Sequence, residues 1–393
     1  YFTLSSLRIV PTNLSMRVFL PLGLRKAFPG IPVFLINVFN FCSKSNIIIE
    51  DTRNAYYLDD MVKDYSLLTL KDDSFEGLIG MITKIIIDDD LIFLSHVPSS
   101  NYDELQQVIG VYDFNGNYLH GIGHKGRASN EYQAIRDWSI DIVNKEVLIY
   151  DSFMDRIQKY SYDGSFKSSI TLNDEEISRG YQLFCSNSRI YIQSMLPNEY
   201  SDDITRIINS EEIKNLTTKR EISTNNFYIQ GITQYSSPGN DTLYHIRPLD
   251  NLLYKIVDQE CFTAEVLEFI KIPTVEKMKS LTMNDTDYLM EIPTKCFDTK
   301  SYYIVKTIDD GIYALSKRKG RWIRYIEEGI TYKTHLIPNS IVGVTDDILI
   351  GYFTSKYASD GLKYNKNLTE KEDSILRAMA KSENPTLIFY KLK

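Results

Sequence analysis

The chain has 393 residues, of which 43% are hydrophobic and 24% are charged, a composition typical of a soluble globular protein. Its 44 basic and 52 acidic residues give a net charge of −8 without any basic stripe, which argues against a nucleic-acid partner. The aromatic residues are 28 Tyr and 18 Phe against 2 Trp, a supply that favours pleated surfaces and therefore β structure.

The beginning of the chain has the outline of an export signal. Arg25 and Lys26 precede the apolar run 31–42, which ends at Cys42. A positive flank, a short apolar core and a cysteine are typical of a bacterial lipoprotein signal, although bulky residues stand before the cysteine where small ones are usual. The run is shorter than the about 20 residues that a transmembrane helix needs. We expect residues 1–41 to be an export or lipoprotein signal with Cys42 as the lipidation site; a disordered N-terminal extension is the alternative.

From about residue 62 the chain consists of short apolar runs separated by turn residues. Segment 84–96 has an apolar run, three aspartates and a second apolar run, as a hairpin requires. The same pattern recurs at 138–152, 182–194 and 341–353. Because β-branched residues dominate and the polar turns would interrupt a helical stripe, these segments predict four hairpins.

Two copies of a second unit follow the first two hairpins. Segments 111–122 and 159–170 align at an offset of 48 residues, with aromatic, glycine and isoleucine residues at matching positions. Their dipeptides Asn115-Gly116 and Asp163-Gly164 predict type I′ turns, in which both central residues need φ > 0. Two hairpins make a four-stranded blade, and a period of about 40–50 residues is typical of β-propellers.

The later repeats are less regular. Segment 242–258 predicts two strands and segment 301–325 predicts two or three, whereas the polar stretch 195–225 predicts a long loop with some helix. Thr369 and Glu372 have the spacing of a capping box before an amphipathic run, which predicts one short helix near the C-terminus.

The two ends of this region predict how the fold closes. The strand in 384–393 has no partner after it, and the strand in 64–70 has none before it, so each would leave an exposed edge. We predict that these strands share the last blade. At the observed period, and after allowance for insertions, the region holds about six blades. The fold class is therefore all-β, a six-bladed β-propeller over residues 62–393, with 42–61 as a linker.

Segment 111–151 resembles a family of six-bladed β-propellers from Bacteroides and related bacteria. Members typically show an outer hairpin, a segment similar to G-x-G-P-G-E-Y, and the next inner hairpin. Gly126, Glu131 and Tyr132 keep this pattern, while residues 128–130 depart from it. The last ten residues also resemble the ending of that family. The resemblance implies an NHL-like propeller that is exported or lipid-anchored, and it implies binding rather than a set chemistry.

The loop 123–132 between the two repeats carries the most varied side chains. It predicts a ligand contact through His124, Arg127, Glu131 and Tyr132, since loops on a rigid scaffold commonly carry binding. The alternative is a connector between blades whose Glu and Arg bond to neighbouring backbone.

Signatures of metal, cofactor and nucleophile chemistry are absent from the sequence. The 5 histidines show neither H-x-H nor H-E-x-x-H spacing, and the acidic turns lack the D-x-D-x-D-G pattern of calcium loops. The sequence has no Walker loop, Rossmann glycines or G-x-S-x-G elbow. The 4 cysteines form no C-x-x-C pair, and we expect Cys185, Cys261 and Cys296 to be structural thiols, with Cys185 and Cys296 beside strands. We therefore expect no metal and no cofactor.

These observations predict a monomeric exported protein, periplasmic or attached to the outer membrane, that binds a glycan, peptide or protein without catalysis. Its only membrane contact would be a lipid anchor. The alternative is a propeller enzyme, a lyase or hydrolase acting on carbohydrate or lactone. A cluster of His with Asp or Glu facing the central channel would favour the enzyme, whereas an aromatic or uncharged channel mouth would favour binding.

Overall fold

The computed structural model describes residues 9–12, 15–18, 61–71, 79–98, 107–172, 180–194, 204–207, 213–216, 232–246, 251–258, 260–267, 269–270, 274, 277, 293–307, 312–325, 336, 340–366 and 368–393. The chain divides into two compact units, Tyr1–Ser43 and Lys44–Lys393. The described residues of the first unit form one hairpin of β1 (Ile9–Thr12) and β2 (Ser15–Val18). Cys42 and most of the predicted signal lie outside the described residues.

The first described strand of the second unit is β3 (Val62–Thr69), and a series of sheets with mostly antiparallel strands follows it. Sheet 1 contains β4 (Met81–Asp88), β5 (Leu91–Val97), β6 (Val108–Asp113) and β7 (Tyr118–Gly121). Sheet 2 contains β8 (Ile135–Asp141), β9 (Glu146–Asp151), β10 (Arg156–Ser161) and β11 (Phe166–Thr171). Sheet 3 contains β12 (Gly180–Ser186), β13 (Arg189–Ser194), β14 (Ile204–Ile207) and β15 (Ile213–Asn215).

The remaining strands follow the same order. After β16 (Thr233–Ser236), sheet 4 contains β17 (Thr242–Ile246), β18 (Leu252–Val257) and β19 (Glu260–Val266). Sheet 5 contains β20 (Pro293–Asp298), β21 (Tyr302–Thr307), β22 (Ile312–Ser316) and β23 (Arg321–Tyr325), and β16 pairs in parallel with β20. Sheet 6 contains β24 (Ser340–Thr345), β25 (Ile348–Phe353), β26 (Thr386–Leu392) and β3. Its strand β24 pairs in parallel with β4, with Gly343 opposite Ile85, so sheets 6 and 1 are hydrogen-bonded to each other as one eight-stranded sheet. Between β25 and β26 lie two helices, α1 (Ser355–Tyr364) and α2 (Glu370–Ala380).

The four predicted inner hairpins are confirmed as the pairs β4–β5, β8–β9, β12–β13 and β24–β25. Their short turns each include a polar residue with positive φ, such as Asp89 at 49°, Lys145 at 51° and Asp346 at 46°. The turn between β12 and β13 has two such residues, Asn187 at 48° and Ser188 at 59°, as a type I′ turn requires.

The outer turns differ from the predicted type I′ geometry, and that prediction is wrong. Gly116 at 81° and Gly164 at 85° have positive φ, but the residue before each does not. In the first turn Gly116 N donates to Asp113 O over 3.0 Å, the pattern of a three-residue loop closed by a glycine bulge. The physical reason is the Asp113 side chain, whose Oδ1 accepts from Asn115 N at 2.8 Å and so stabilises the wider loop.

Two predictions near the irregular segments need correction. The stretch 195–225 contains the strands β14 and β15, which continue sheet 3 by pairing outward from β13, so the expected loop with helix is wrong for these residues. The predicted capping box at Thr369 and Glu372 is present at α2, but α1 precedes it, so there are two described helices where one was predicted. The described helices include none long and apolar enough to cross a bilayer.

Hydrophobic side chains fill the space between sheets that follow each other in the chain. Trp138 and Phe93 belong to the cluster between sheets 1 and 2, and further clusters join sheets 2 and 3, 3 and 4, 4 and 5, and 5 and 6. Another cluster packs Ile85 of sheet 1 against Ile350 and Leu387 of sheet 6. The largest fully buried side chain, Trp138, also donates from Nε1 to Ser95 Oγ over 2.8 Å, which links sheet 2 to sheet 1.

The described strands nearest the two ends of the second unit, β3 and β26, pair with each other. β26 runs antiparallel to β3 over a register that begins with Thr386 opposite Thr69 and ends with Leu392 opposite Val62. This pairing makes β3 the outer strand of sheet 6, beyond the last strand of the chain.

Candidate functional site

The predicted ligand loop, 123–132, connects β7 to β8 and is folded on itself. Tyr132 is buried, and its N–H donates to His124 O over 3.0 Å. Glu131 Oε2 accepts from Ala128 N at 2.8 Å, so this carboxylate stabilises the loop from within. His124 and Arg127 are exposed. The structure therefore places two of the four predicted residues in internal contacts of the loop and leaves the other two facing solvent.

Three side chains of β10 donate hydrogen bonds to carbonyl oxygens of this loop. Arg156 Nη2 donates to Glu131 O over 2.5 Å, Gln158 Nε2 donates to the same oxygen over 3.0 Å, and Tyr160 OH donates to Asn130 O over 3.0 Å. The arginine that bonds the loop backbone is thus Arg156, which the sequence interpretation missed. The signal was available, because these residues alternate along one strand and so share one face.

A small recess with a cavity volume of about 30 Å³, open to solvent, lies among the first strands of sheets 1, 2 and 3 together with β16 and β17. Its lining combines aliphatic walls with hydroxyl, amide, thiol and ammonium groups: Lys84, Ile86, Ser139, Ile140, Leu183, Phe184, Cys185, Gln234, Ser236, Ser237, Pro238 and Leu243. Such a mixture of apolar walls and a few polar groups is the usual composition of a small-ligand site.

A β-bulge near the start of each first strand sets the position of the polar residues. The register shifts between Ile82 and Lys84 in β4, and equivalent shifts precede Asp137 in β8 and Gln182 in β12. A bulge redirects the side chain that follows it. In each of these strands the residue after the bulge bonds to the neighbouring sheet or strand.

The charge of Lys84 is balanced within the recess wall. Its Nζ lies 2.9 Å from Asp137 Oδ1 and donates to Trp138 O over 2.6 Å. Asp137 Oδ2 in turn accepts from Leu183 N at 2.7 Å. An ammonium group has three N–H donors, so one donor of Lys84 remains for a further acceptor. The pair makes this wall neutral overall while leaving it able to donate.

Gln234 is fixed by a buried polar network. Its backbone N–H donates to Gln182 Oε1 over 3.0 Å, and its side-chain Oε1 accepts from Tyr303 OH at 3.1 Å. Its Nε2 donates to Gln193 Oε1 over 2.9 Å and to His245 Nδ1 over 2.5 Å. Because every polar atom of this amide has a partner, the wall formed by Gln234 is rigid.

The hydroxyl groups of the recess differ in their contacts. Ser237 Oγ accepts from Asp346 N at 2.7 Å. Ser139 and Ser236 also line the recess, and their hydroxyls have no partner among the described residues. These two hydroxyls and the remaining Lys84 donor are therefore the groups best placed to bond a ligand.

Reactive groups are few in the described lining. Burial raises the pKa of the Cys185 thiol, which keeps it protonated and weakly nucleophilic. Cys296, outside the recess, is fully buried, and burial raises its pKa to about 12. The described part of the chain contains no group of three His, Cys, Asp or Glu side chains that could hold a metal ion.

Sheet 5 contains a separate buried ion pair. Asp298, which is 1% exposed, pairs with Lys317 and accepts from Tyr244 N at 3.3 Å. Burial outweighs the attraction of Lys317 and raises the pKa of Asp298 to about 6. This pair lies outside the lining of the recess.

The fold and recess define an all-β protein of successive small antiparallel sheets, and sequence comparison assigns its family. The chain belongs to the family described as Domain of unknown function (DUF4934), which matches residues 44–391. A comparison with curated proteins finds no match.

Solved structures show the same fold in Bacteroides. A predicted exported protein of Bacteroides fragilis aligns with a TM-score of 0.64 at 16% identity, covering 86% of this chain and 97% of that chain. A member of the DUF4221 family from Bacteroides vulgatus aligns with a TM-score of 0.50 at 12% identity, covering 84% and 97%. The WD40 repeats of RRP9 align with a TM-score of 0.41 at 10% identity over 86% and 99%, a likeness too low to bear on the fold.

Proposed function

We propose that the protein is a monomeric six-bladed β-propeller, exported to the cell envelope, that binds a ligand in its central recess without catalysing a reaction. Sheets 1 to 6 are the proposed blades, and β16 is the first strand of the fourth blade. The hydrophobic clusters between successive sheets support this arrangement, as does the cluster that packs sheet 6 against sheet 1.

Two glycine turns support the closure of the ring. A Cβ on Gly164 would lie 2.5 Å from Gly121 O, at the end of the outer strand of sheet 1. A Cβ on Gly116 would lie 2.3 Å from Thr69 O, at the end of β3. The outer turn of sheet 1 therefore contacts β3 in the same way as the outer turn of sheet 2 contacts β7. This equivalence is expected if sheet 6 precedes sheet 1 in a ring.

The observation that carries the binding function is the balanced charge of the recess. Lys84 is neutralised by Asp137, and the described lining has no carboxylate and no histidine. Hydrolases and lyases need ionisable groups directed at the substrate as acids or bases. A wall of hydroxyls, one amide and aliphatic side chains instead favours an uncharged polar ligand, such as a sugar unit of a glycan or a peptide carbonyl.

A binding experiment tests this proposal. The full chain is screened against a glycan array and a set of short neutral peptides, and hits are titrated by calorimetry. Ser236→Leu should weaken binding at least tenfold because it fills the recess and removes a hydroxyl. Ser168→Leu, on the exposed surface of β11, is the matched control and should bind normally. Mass spectrometry of the bound ligand should show it intact; cleavage would establish an enzyme, and absence of any recess-dependent binding would overturn the proposal.

We also propose that Cys42 carries a lipid anchor. The family match begins at residue 44, two residues after this cysteine, and a structural neighbour is a predicted exported protein. In a Bacteroides host, the full chain should partition into detergent and show the mass of a diacylated N-terminal cysteine. Cys42→Ser should move the protein to the aqueous phase, and an unchanged partition would reject lipidation at this residue.

A further inference from the structure

Two large hydrophobic side chains are exposed at the turn between β9 and β10. Phe153 is 62% exposed and Met154 is 37% exposed. Single exposed hydrophobic residues are common on protein surfaces, whereas contiguous exposed apolar area is a mark of contact sites. The surroundings of this pair determine what it can bind.

The turn is joined to the loop 123–132 by direct contacts. Asp151 Oδ2 accepts from Gln133 N at 2.9 Å, and Gln133 Nε2 lies 3.0 Å from Met154 Sδ. Arg156, at the end of the same turn, also donates from Nη1 to Ser129 O over 3.3 Å. The exposed side chains His124, Lys125, Arg127, Phe153 and Met154 thus belong to one connected surface, which we call the loop–turn surface.

The outward-facing charges of this surface are mainly positive. Lys125 and Arg127 are exposed and form no ion pair with any described residue. The carboxylates of Glu131 and Asp151 are directed inward, where they accept backbone N–H groups. Asp155 is the remaining acidic side chain of the turn and is half-buried. A positive, partly apolar patch on a protein of net charge −8 is complementary to an acidic partner.

The loop–turn surface is also held rigid. Arg156, Gln158 and Tyr160 are at most 9% exposed, and all three donate to carbonyl oxygens of residues 128–131. Gly126 lies against Glu131 so closely that a Cβ would be 1.9 Å from its Oε2. A surface that is ordered before binding loses little conformational entropy when a partner docks.

We propose that the loop–turn surface docks an acidic peptide segment of a partner protein. An apolar side chain of the segment packs on Phe153 and Met154, and its carboxylates pair with Lys125 and Arg127. Arginine binds carboxylates in a bidentate geometry, which gives direction to the contact. The surface has too small an apolar area to hold a membrane by insertion, since that requires a broad apolar face. This site is separate from the recess.

Selection of displayed random 12-residue peptides against the full chain tests the proposal. The enriched peptides should combine Asp or Glu with Phe, Leu or Met. A synthetic copy of one of them should lose at least tenfold in affinity for Phe153→Ser/Met154→Ser and for Lys125→Glu/Arg127→Glu. Added salt should weaken peptide binding to the parent but strengthen it for the charge-reversed variant, because the reversed charges repel an acidic peptide and salt screens that repulsion.

The matched control is Val143→Ser. Val143 is 64% exposed in the turn at the opposite end of β9, and its variant should bind the peptide normally. Thermal melting of all variants should match the parent, since the changes are on the surface. Enrichment of peptides without acidic residues, or equal affinity for the double variants, would overturn the proposal. So would binding of phosphatidylglycerol vesicles that depends on the same residues when no peptide binds.

Discussion

The outer turns of sheets 1 and 2 contact an adjacent strand closely at a glycine, whereas sheets 5 and 6 are joined by a backbone hydrogen bond, from Lys300 N to Asp346 O over 2.8 Å, and by several side-chain hydrogen bonds. A Cβ added at Gly116 would lie 2.3 Å from Thr69 O of sheet 6, and a Cβ added at Gly164 would lie 2.5 Å from Gly121 O of sheet 1. Gly320, in the turn between β22 and β23, has a positive φ of 59°, but a Cβ there would meet nothing within 4 Å. A glycine with positive φ therefore occurs both with and without a close contact to a neighbouring strand. Comparing these glycines separates the cost of the backbone conformation from the cost of the steric contact.

The side-chain contacts of sheets 5 and 6 use ionisable and hydroxyl groups. Asp347 Oδ1 accepts from Ser301 N at 2.7 Å, and Lys295 Nζ donates to Ser340 Oγ over 2.6 Å. Within sheet 5, Asp298 pairs with Lys317. We therefore expect the two regions to respond differently to added volume and to pH.

The largest effect is expected for Gly116→Ala. The new Cβ would collide with Thr69 O, and a backbone oxygen of a paired strand cannot move away easily. Strained φ and overpacking together should reduce the free energy of unfolding by about 3–5 kcal/mol. Chemical denaturation measures this change, and Gly164→Ala should cost nearly as much. A loss below about 1 kcal/mol for both would mean that the docking contact is not tight.

Asp298→Asn tests the side-chain region. Its carboxyl titrates at about 6 in the folded protein and at 3.8 when unfolded, so the folded state retains a proton between these values. Stability from this group is therefore complete below pH 4 and lost as pH rises to 6, by about 3 kcal/mol at 1.4 kcal/mol per pKa unit. Unfolding measured from pH 4 to pH 7 should show this decline in the parent and a flatter profile in the variant. An identical slope in both proteins would contradict the assignment.

Gly320→Ala provides the internal reference for the glycine turns. Because its surroundings are open, only the unfavourable φ remains, and we expect a loss of about 1 kcal/mol. The difference in unfolding free energy between this variant and Gly116→Ala measures the cost of the steric contact with Thr69 O. Equal losses at the two glycines would show that backbone conformation alone accounts for both.

The smallest effect is expected for Asp163→Asn in the outer turn of sheet 2. The hydrogen bond from Ser161 Oγ, followed by that from Ser165 N, lowers the pKa of Asp163 to about 2. This carboxylate stabilises the fold above pH 4, and the stability is lost as pH falls from 4 towards 2, the opposite direction to Asp298. The effect is small because the side chain is exposed. Acid titration of the parent and variant should differ only below pH 4.

The sequence predicts contacts made by neighbouring residues better than contacts between distant ones. The hairpin turns and the capping box of Thr369 depend on residues that lie within a few positions of each other in the chain, so the sequence predicts them. β14 and β15 were missed because their stability comes from pairing outward from β13, not from their own polar composition. Likewise, Gly116 and Gly164 were recognised as turn glycines, but their approach to the preceding sheet depends on tertiary packing.

The candidate sites divide in the same way. Loop 123–132 was identified from its varied side chains, yet the structural roles of Glu131 and Tyr132 depend on contacts that sequence spacing does not specify. The recess brings together residues from Lys84 to Leu243, and no local pattern connects segments so far apart. The recess could be recognised only from the three-dimensional packing of successive sheets.

The pairing of β3 with β26 has a consequence for biosynthesis. The hydroxyls of Thr69 and Thr386 lie 3.1 Å apart although 317 residues separate them in the chain. During synthesis, β3 is made early and has an unpaired edge until the segment that contains β26 is made. Contacts of such long sequence separation form slowly, so completion of sheet 6 should be the last folding step. Over that interval β3 and β25 are open strand edges, and a chaperone that covers them would raise the yield of folded protein.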